Sequence, residues 1–319
     1  MSEPAERPRK YDALIYACRA LAPMRTAVAH PCDETSLRGA IEAAEAKIIK
    51  PILVGPEARI RALAASLGLD ISQYQIVNTP YSHASAAKAV ELVRKGEADA
   101  LMKGSLHTDE LMAEVVNKET GIRTARRISH VFIMDVPTYS KPLCITDAAI
   151  NISPTLEDKA DIVQNAIELA QALRIQKPKV AILAAVETIN SKMPSTIDAA
   201  ALCKMADRGQ ITGGLLEGPL ALDNAISPEA AAIKQITSPV AGDADILLVP
   251  DLEAGNMLAK ELSFLAKADA AGIVLGARVP IILTSRADNV RTRMASCAVA
   301  ALYAQARRLA AVAVGTLPA

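Results

Sequence analysis

The sequence has no tryptophan and aromatic residues make up only 3% of it, whereas 51% of its residues are hydrophobic. A core must therefore be built from aliphatic side chains, and a composition this apolar excludes global disorder. No uninterrupted apolar stretch reaches the roughly 18 residues that a transmembrane helix needs. The N-terminus, MSEPAERPRK, carries charges and prolines where a secretory signal needs an apolar run. We expect a cytoplasmic protein that does not bind membranes.

A net charge is also lacking, since 35 basic residues balance 35 acidic ones. No overall basic field attracts a nucleic acid, so we expect no nucleic-acid partner, and any anionic ligand must be held by a local cluster. No C-x-x-C pair occurs among the five scattered cysteines, Cys18, Cys32, Cys144, Cys203 and Cys297. This spacing argues against a disulfide framework or a zinc site and predicts buried thiols.

Standard catalytic motifs are missing as well, including G-x-G-x-x-G after a strand, a Walker loop, G-x-S-x-G and H-E-x-x-H. What is present is an alternation of short β-branched runs with longer Ala-rich stretches of helical period, which predicts an α/β fold with a mostly parallel sheet. The predicted strands are 26–29, 51–54, 100–102, 131–134, 180–184, 246–249, 272–275 and 280–283. The helix from Asn289 to about Ala311 is expected to pack across a domain or subunit.

A chain of 319 residues is long for a single core and predicts two domains. Turn-forming residues are densest between Thr146 and Pro154, where we place the first crossing between domains. A return crossing between Leu275 and Pro280 lets the last strand and helix rejoin the first domain. The predicted domains are 1–147 plus 277–319, and 148–276.

Ligands of open α/β sheets bind where loops leave the carboxyl ends of strands. Four such places stand out in the sequence. The first comprises Lys103, Gly104, Ser105, His107 and Thr108, which could cradle a phosphate or form an ordinary turn capped by Thr108 or Asp109. The second comprises Asp251, Gly255 and Asn256, where Asp251 caps a helix and Gly255 admits a ligand or serves packing. His30 and His83 are interpreted as structural or surface residues.

The third place comprises Ser285, Arg286 and Asp288, which supply a hydroxyl, a guanidinium and a carboxylate at a strand-to-helix junction. The alternative is a capped helix with a surface ion pair. The fourth comprises Arg123 and Arg126, whose planar guanidinium groups match phosphate. A solvated loop is the alternative for these arginines.

Several segments occur in a recognisable order: M-K-G-S-L-H-T (102–108), T-D-A-A-I-N-I (146–152), E-G-P-L-A-L-D-N-A-I-S (217–227) and V-P-I-I-L-T-S-R-A-D (279–288). With them the chain resembles the short form of the phosphate acetyltransferase and phosphate butyryltransferase family. The resemblance implies two three-layer α/β domains with a cleft between them, similar to isocitrate and isopropylmalate dehydrogenases, usually in a homodimer. It implies coenzyme A, acetyl phosphate and inorganic phosphate as substrates, with no metal or other cofactor.

The resemblance further implies that Arg286 holds the transferred phosphate and that Ser285 lies near the thiol and the reacting carbonyl. Asp288 is the expected base, although the acetyl branch carries its carboxylate near the position of Thr292. The same branch has an arginine near Met112, which Arg123 or Arg126 would replace. Acetyl transfer is the preferred reading and butyryl transfer the alternative. A metal-dependent dehydrogenase of the related fold and a catalytically silent coenzyme A sensor are different-class alternatives.

Overall fold

The computed structural model of the chain describes residues 10–283 and 289–313, in which helices and strands alternate. In chain order they are α1 (Lys10–Cys18), β1 (Met24–Ala29), α2 (Glu34–Glu45), β2 (Ile49–Gly55), α3 (Glu57–Leu67), β3 (Gln75–Asn78), α4 (Ser82–Arg94), β4 (Ala100–Lys103), α5 (Thr108–Val116), β5 (Ser129–Asp135), β6 (Leu143–Thr146), α6 (Leu156–Ala172), β7 (Lys179–Leu183), α7 (Pro194–Asp207), β8 (Leu215–Leu220), α8 (Leu222–Ile226), α9 (Pro228–Ile233), β9 (Ile246–Leu248), α10 (Leu252–Phe264), β10 (Asp269–Leu275), β11 (Ile281–Ile282) and α11 (Val290–Ala313). The α/β class predicted from the sequence is confirmed.

The chain divides into two compact units. Unit 1 comprises Met1–Arg126 and Ala271–Ala319, and unit 2 comprises Arg127–Ala270. The first division falls after Arg126, whereas the sequence places it after residue 147. The reason is that β5 pairs with β6, and β6 pairs with β9, all inside unit 2. The return falls after Ala270, whereas the sequence places it after residue 276.

The strands of unit 1 follow the order β3-β2-β1-β4-β11-β10. Neighbours from β3 to β11 are parallel, and β10 is antiparallel to β11. The ends of β1 and β4 are level, because Ala29 pairs with Lys103. The loops that follow these two strands leave one edge of the sheet, which we name the carboxyl edge of unit 1. The residues that lead into β4 and β11 lie at the opposite edge, the amino edge of unit 1.

The strands of unit 2 follow the order β5-β6-β9-β7-β8. Only the β5–β6 pair among the described strands of this unit is antiparallel. Leu248 of β9 pairs with Thr146 of β6 on one side and with Ile182 of β7 on the other. The loops after these three strands therefore leave the same edge, the carboxyl edge of unit 2.

The core is aliphatic, as the composition predicts. Unit 2 buries Ile145, Leu247 and Val249 with other Ala, Leu and Val side chains in one cluster. In unit 1, α11 buries a run of mostly small residues, 295–301, so that its backbone packs against α1, α2 and β11. The Cys18 thiol in α1 donates to Ala298 O at 3.3 Å.

Candidate active site

Two loops meet at the carboxyl edge of unit 1, one after β1 and one after β4. Gly104 N donates to Ala29 O at 2.9 Å, and both N and Oγ of Ser105 donate to His30 O, each at 2.9 Å. In the other direction, Cys32 N donates to Ser105 Oγ at 3.3 Å. The predicted site residues Gly104 and Ser105 are therefore fixed by the loop of the neighbouring strand.

Gly104 has no room for a side chain. A Cβ at this position would lie 2.3 Å from Ala29 O and 2.5 Å from His30 O. Both distances are far shorter than a carbon and an oxygen tolerate without a bond. Glycine is required here because the backbones of the two loops approach each other directly.

Lys103, the last residue of β4, directs its ammonium group onto the same loop. Its Nζ donates to Gly104 O at 3.2 Å and to Leu106 O at 3.0 Å, and the side chain is half-buried. An anion bound at the turn of Gly104 and Ser105 would therefore face a cation whose position is already set.

Helix α5 begins directly after this turn. His107 occupies the N-cap position and is exposed, and its side chain makes no capping hydrogen bond. The prediction that Thr108 or Asp109 caps this helix is wrong. The first N–H groups of the helix, beginning with that of Thr108, have no acceptor within the helix and carry its partial positive charge. The structure thus brings the predicted residues of 103–108 together at one edge.

His30, which the sequence analysis interprets as a structural or surface residue, supports this loop through its buried side chain. Its side chain is buried, its φ is 58°, and its Nδ1 lies 3.1 Å from Ser85 Oγ. Ser85 Oγ lies 2.8 Å from Thr79 Oγ1. Burial lowers the pKa of His30, and Arg59 lowers it further. The contact with Ser85 anchors the side chain of the residue whose carbonyl receives both hydrogen bonds from Ser105.

Arg123 lies at the amino edge of unit 1. Its backbone pairs with Ala277, and the following segment enters β11 beside the start of β4, where Leu101 N donates to Pro280 O at 3.1 Å. Arg126 follows in the same loop and is half-buried. The structure does not bring Arg123 together with the loop that follows β4, which lies at the opposite edge.

Helix α10 begins at the carboxyl edge of unit 2. Asp251 caps it as predicted, because its Oδ1 accepts from the backbone N–H three residues later at 2.9 Å. A Cβ at Gly255 would lie 2.7 Å from Val249 Cγ2 and 3.0 Å from Ala148 Cβ. Asn256 Nδ2 donates to Ala148 O at 3.2 Å. Gly255 thus serves close packing, and Asn256 ties α10 to the loop after β6.

The buried carboxylate of Asp147 organises that loop. Its Oδ1 accepts from the N–H groups of the second and third residues that follow, at 2.9 and 3.0 Å. Its Oδ2 accepts from Asn151 Nδ2 at 2.5 Å and from His130 N at 3.2 Å. Arg127 Nε donates to Asn151 Oδ1 at 2.6 Å. Sequence reasoning missed this network, although an aspartate directly after an apolar strand is a signal for it.

Ser285, Arg286 and Asp288 lie outside the described residues, so their roles remain predictions. The helix that follows begins at Val290, where Asn289 Oδ1 accepts from Thr292 N at 2.8 Å.

The thiols are not suited to act as nucleophiles. All five cysteines are free, and Cys32 is buried at the carboxyl edge of unit 1. Burial raises the pKa of Cys32, and it raises the pKa of Cys144 and Cys297 to about 12. Little thiolate forms near neutral pH.

Within 10–283 and 289–313 no group of three or more His, Cys, Asp or Glu side chains is arranged to hold a metal ion. No helix in the same ranges is both long and apolar enough to cross a membrane.

Comparison with known proteins identifies the family. A family profile described as phosphate acetyl/butaryl transferase matches residues 81–301, well over half of the chain. The chain belongs to this family of acyltransferases. The family resemblance inferred from the sequence is thereby confirmed.

Individual relatives agree with the family. A phosphate acetyltransferase of Rhizobium meliloti is 70% identical over 307 residues, which cover 96% of this chain and 97% of the relative. A phosphate butyryltransferase of Clostridium acetobutylicum is 44% identical over 296 residues, 93% of this chain and 98% of the relative. The crystal structure of a branched-chain phosphotransacylase from Enterococcus faecalis has a TM-score of 0.77 at 32% identity, covering 88% of this chain and 99% of that one.

Proposed function

We propose that the protein is a phosphate acetyltransferase, which moves an acetyl group reversibly between coenzyme A and inorganic phosphate. The observation that carries this proposal is the 70% identity, over nearly the whole chain, to a relative named phosphate acetyltransferase. Butyryl transfer is the alternative, and the relative of that name is less similar, at 44% identity.

The reaction proceeds by direct attack within a ternary complex. The coenzyme A sulfur attacks the carbonyl carbon of acetyl phosphate, a carbon–sulfur bond forms, and the bond from that carbon to the phosphate oxygen breaks. Only a few per cent of such a thiol is thiolate near pH 7, so a base must take its proton. By family resemblance the base is Asp288, and Ser285 stabilises the tetrahedral oxyanion.

By the same family resemblance, Arg286 neutralises the departing phosphate with a charge-assisted hydrogen bond worth about 1.5–3 kcal/mol. Residues at the carboxyl edge of unit 1 support the binding of phosphate. Lys103 fixes a positive charge beside the turn of Gly104 and Ser105, and α5 presents its N-terminus from Thr108. We assign these residues and His107 to phosphate and coenzyme A.

Unit 2 contributes through α10 in this proposal. Asp251 caps the start of α10, and Asn256 ties this helix to the loop after β6. Gly255 allows their close approach. These three residues therefore shape the carboxyl edge of unit 2 for coenzyme A. Arg126, the last residue before unit 2, is assigned as a further phosphate ligand.

Coenzyme A and acyl phosphate are substrates, and no metal or cofactor takes part. The exposed pair Phe264 and Leu265, 78% and 79% accessible, supports a homodimer because such apolar surface favours a partner. Five free thiols support a cytoplasmic location. The likeness to isocitrate and isopropylmalate dehydrogenases is proposed from the family resemblance.

Thiol release from acetyl-coenzyme A, with and without inorganic phosphate and with and without EDTA, tests the proposal. We expect release that depends on phosphate and is unaffected by EDTA. Release without phosphate would indicate a hydrolase, and loss with EDTA would contradict a metal-free reaction.

A matched pair of variants tests the phosphate assignment. Lys103→Met should raise the KM for phosphate about tenfold or more, because a charge-assisted contact is lost. Lys50→Met, which removes an exposed lysine of β2, should leave it unchanged. Equal phosphate KM values for the two variants would remove Lys103 from the site.

A further inference from the structure

A second cationic site lies at the amino edge of unit 1. A cavity of about 370 Å³ opens there, between the end of α4, the turn after α5 and the segment before β11. We name it the Arg278 pocket. Five basic side chains line it, namely Arg94, Lys95, Lys118, Arg123 and Arg278. Two carboxylates, Glu91 and Glu119, line it as well. Three positive charges are therefore uncompensated.

The two carboxylates of the Arg278 pocket form no ion pair with three of its five basic side chains. Glu91 is engaged by Lys95 at 2.5 Å and by Lys88 at 2.9 Å. No carboxylate in the described part of the chain forms an ion pair with Lys118, Arg123 or Arg278. These three cations are therefore available to an external anion.

Hydrogen bonds hold the turn that forms one wall of the Arg278 pocket. The turn at residues 117–122 is closed by Asn117, whose O accepts from Gly121 N at 3.0 Å and whose Oδ1 accepts from Glu119 N at 2.9 Å. A Cβ at Gly121 would lie 2.4 Å from Asn117 O, so the turn requires glycine. Arg94 Nη1 donates to Thr120 O at 3.4 Å and ties α4 to the same turn.

The two arginines opposite this turn also have fixed backbones. Arg278 N donates to Ile122 O at 2.8 Å, and Arg123 pairs with Ala277 across an isolated bridge. Arg307 Nη1 donates to Arg278 O at 3.1 Å from α11. These hydrogen bonds fix the backbone positions from which the two exposed guanidinium groups extend.

We propose that the Arg278 pocket binds a compact polyphosphate group, such as the triphosphate of a nucleotide or inorganic tripolyphosphate. The three uncompensated positive charges match three or more phosphate charges, and arginine forks bind phosphate oxygens in pairs. The volume lies in the range of about 300–1,000 Å³ that small-molecule sites occupy. The site is separate from the phosphate site proposed above, since the loop after β4 lies at the opposite edge of the unit 1 sheet.

A neighbouring cavity makes it possible to distinguish a nucleotide from inorganic tripolyphosphate as the ligand. Arg278 also lines a cavity of about 680 Å³, whose wall includes Val279, Pro280 and Ala304. A nucleoside would find apolar surface there, whereas inorganic tripolyphosphate would not. Tighter binding of ATP than of tripolyphosphate identifies a nucleotide site, and equal affinities identify a site for the polyphosphate group alone.

Isothermal titration of the full-length protein with tripolyphosphate and with ATP, in the absence of Mg²⁺ and both without and with saturating coenzyme A and inorganic phosphate, tests the proposal. We expect one site per chain, weakened about tenfold or more in Arg278→Gln. The matched control Arg61→Gln, in which Glu57 loses an exposed partner on α3, should bind as wild type does.

Turnover in the absence of polyphosphate should be unchanged in Arg278→Gln, which distinguishes this site from the catalytic one. Binding that disappears when coenzyme A saturates the protein would show that the pocket belongs to the substrate, and would overturn the proposal. Equal affinity of wild type and Arg278→Gln would overturn it as well. The titration requires no turnover, so the proposal survives or fails independently of the proposed function.

Discussion

Replacing Gly104 by alanine should separate the loop after β4 from the loop after β1. The added Cβ would lie 2.3 Å from Ala29 O, and must move by roughly 1 Å to reach an ordinary contact. A misplacement of that size costs on the order of 100-fold in rate. We therefore expect kcat/KM to fall about 100-fold, because Ser105 and Lys103 move with the turn. Overpacking should lower the free energy of unfolding by about 1–3 kcal/mol.

Thiol release gives kcat/KM, and urea unfolding is followed by circular dichroism because the chain has no tryptophan. Gly68→Ala is the matched control. Gly68 ends α3 with φ 66° and has open space around its Cβ position, so alanine there costs about 1–2 kcal/mol through backbone strain and should leave turnover intact. A folded Gly104→Ala variant with wild-type kcat/KM would refute the reasoning, as would an equal loss of turnover in Gly68→Ala.

Further predictions concern the site, the core and pH. Arg286→Ala should keep the fold and lower kcat/KM roughly 10- to 150-fold, and unchanged turnover would exclude it from the mechanism. Burial lowers the pKa of His130 below its ordinary value of 6.5. The unfolded chain therefore takes up a proton first as pH falls below about 6.5, and the free energy of unfolding should fall with it; a urea midpoint equal at pH 7 and pH 5 would contradict this. Gly255→Ala should destabilise the protein by about 1–3 kcal/mol in urea unfolding, because its Cβ meets Val249, and a wild-type midpoint would refute that. Tyr139→Phe should cost about 1 kcal/mol in the same assay through the lost hydrogen bond to Ala244 O, whereas an unchanged midpoint would show that this bond contributes nothing.

Local chemistry in the sequence predicted local structure well. The Asp251 cap follows from an aspartate placed before an apolar helical stretch, and the structure confirms it. Strands β3, β6 and β8 were not predicted. The four residues of β3 are half-exposed or exposed, and β8 contains Gly218 and Pro219, which disfavour a strand. Strand β6 has no such feature, and nothing in its composition explains why it was not predicted.

Contacts between residues that are far apart in the chain could not be predicted from the sequence, and they decide how the site is built. Gly104 was singled out from its turn, but the reason that it must be glycine lies in Ala29 and His30, which are more than seventy residues away in the chain. Arg123 was grouped with phosphate ligands because its guanidinium suits them. Its position at the amino edge depends on pairing with Ala277, which no local pattern reveals.

The boundary between the two units also depends on contacts that the sequence does not reveal. Turn residues around Asp147 resembled a linker, yet they close the loop after β6 inside unit 2. Hydrogen bonds to a buried carboxylate, and not a change of domain, account for that cluster of polar residues.

The central claim is acetyl transfer by this member of the family. Direct competition of acetyl-coenzyme A with butyryl-coenzyme A for phosphate-dependent turnover, with both acyl phosphates quantified, measures the ratio of the two kcat/KM values. The account predicts that acetyl leads by about 10- to 200-fold, since an acyl pocket distinguishes added methylenes by about 1–3 kcal/mol. A ratio that favours butyryl would contradict it.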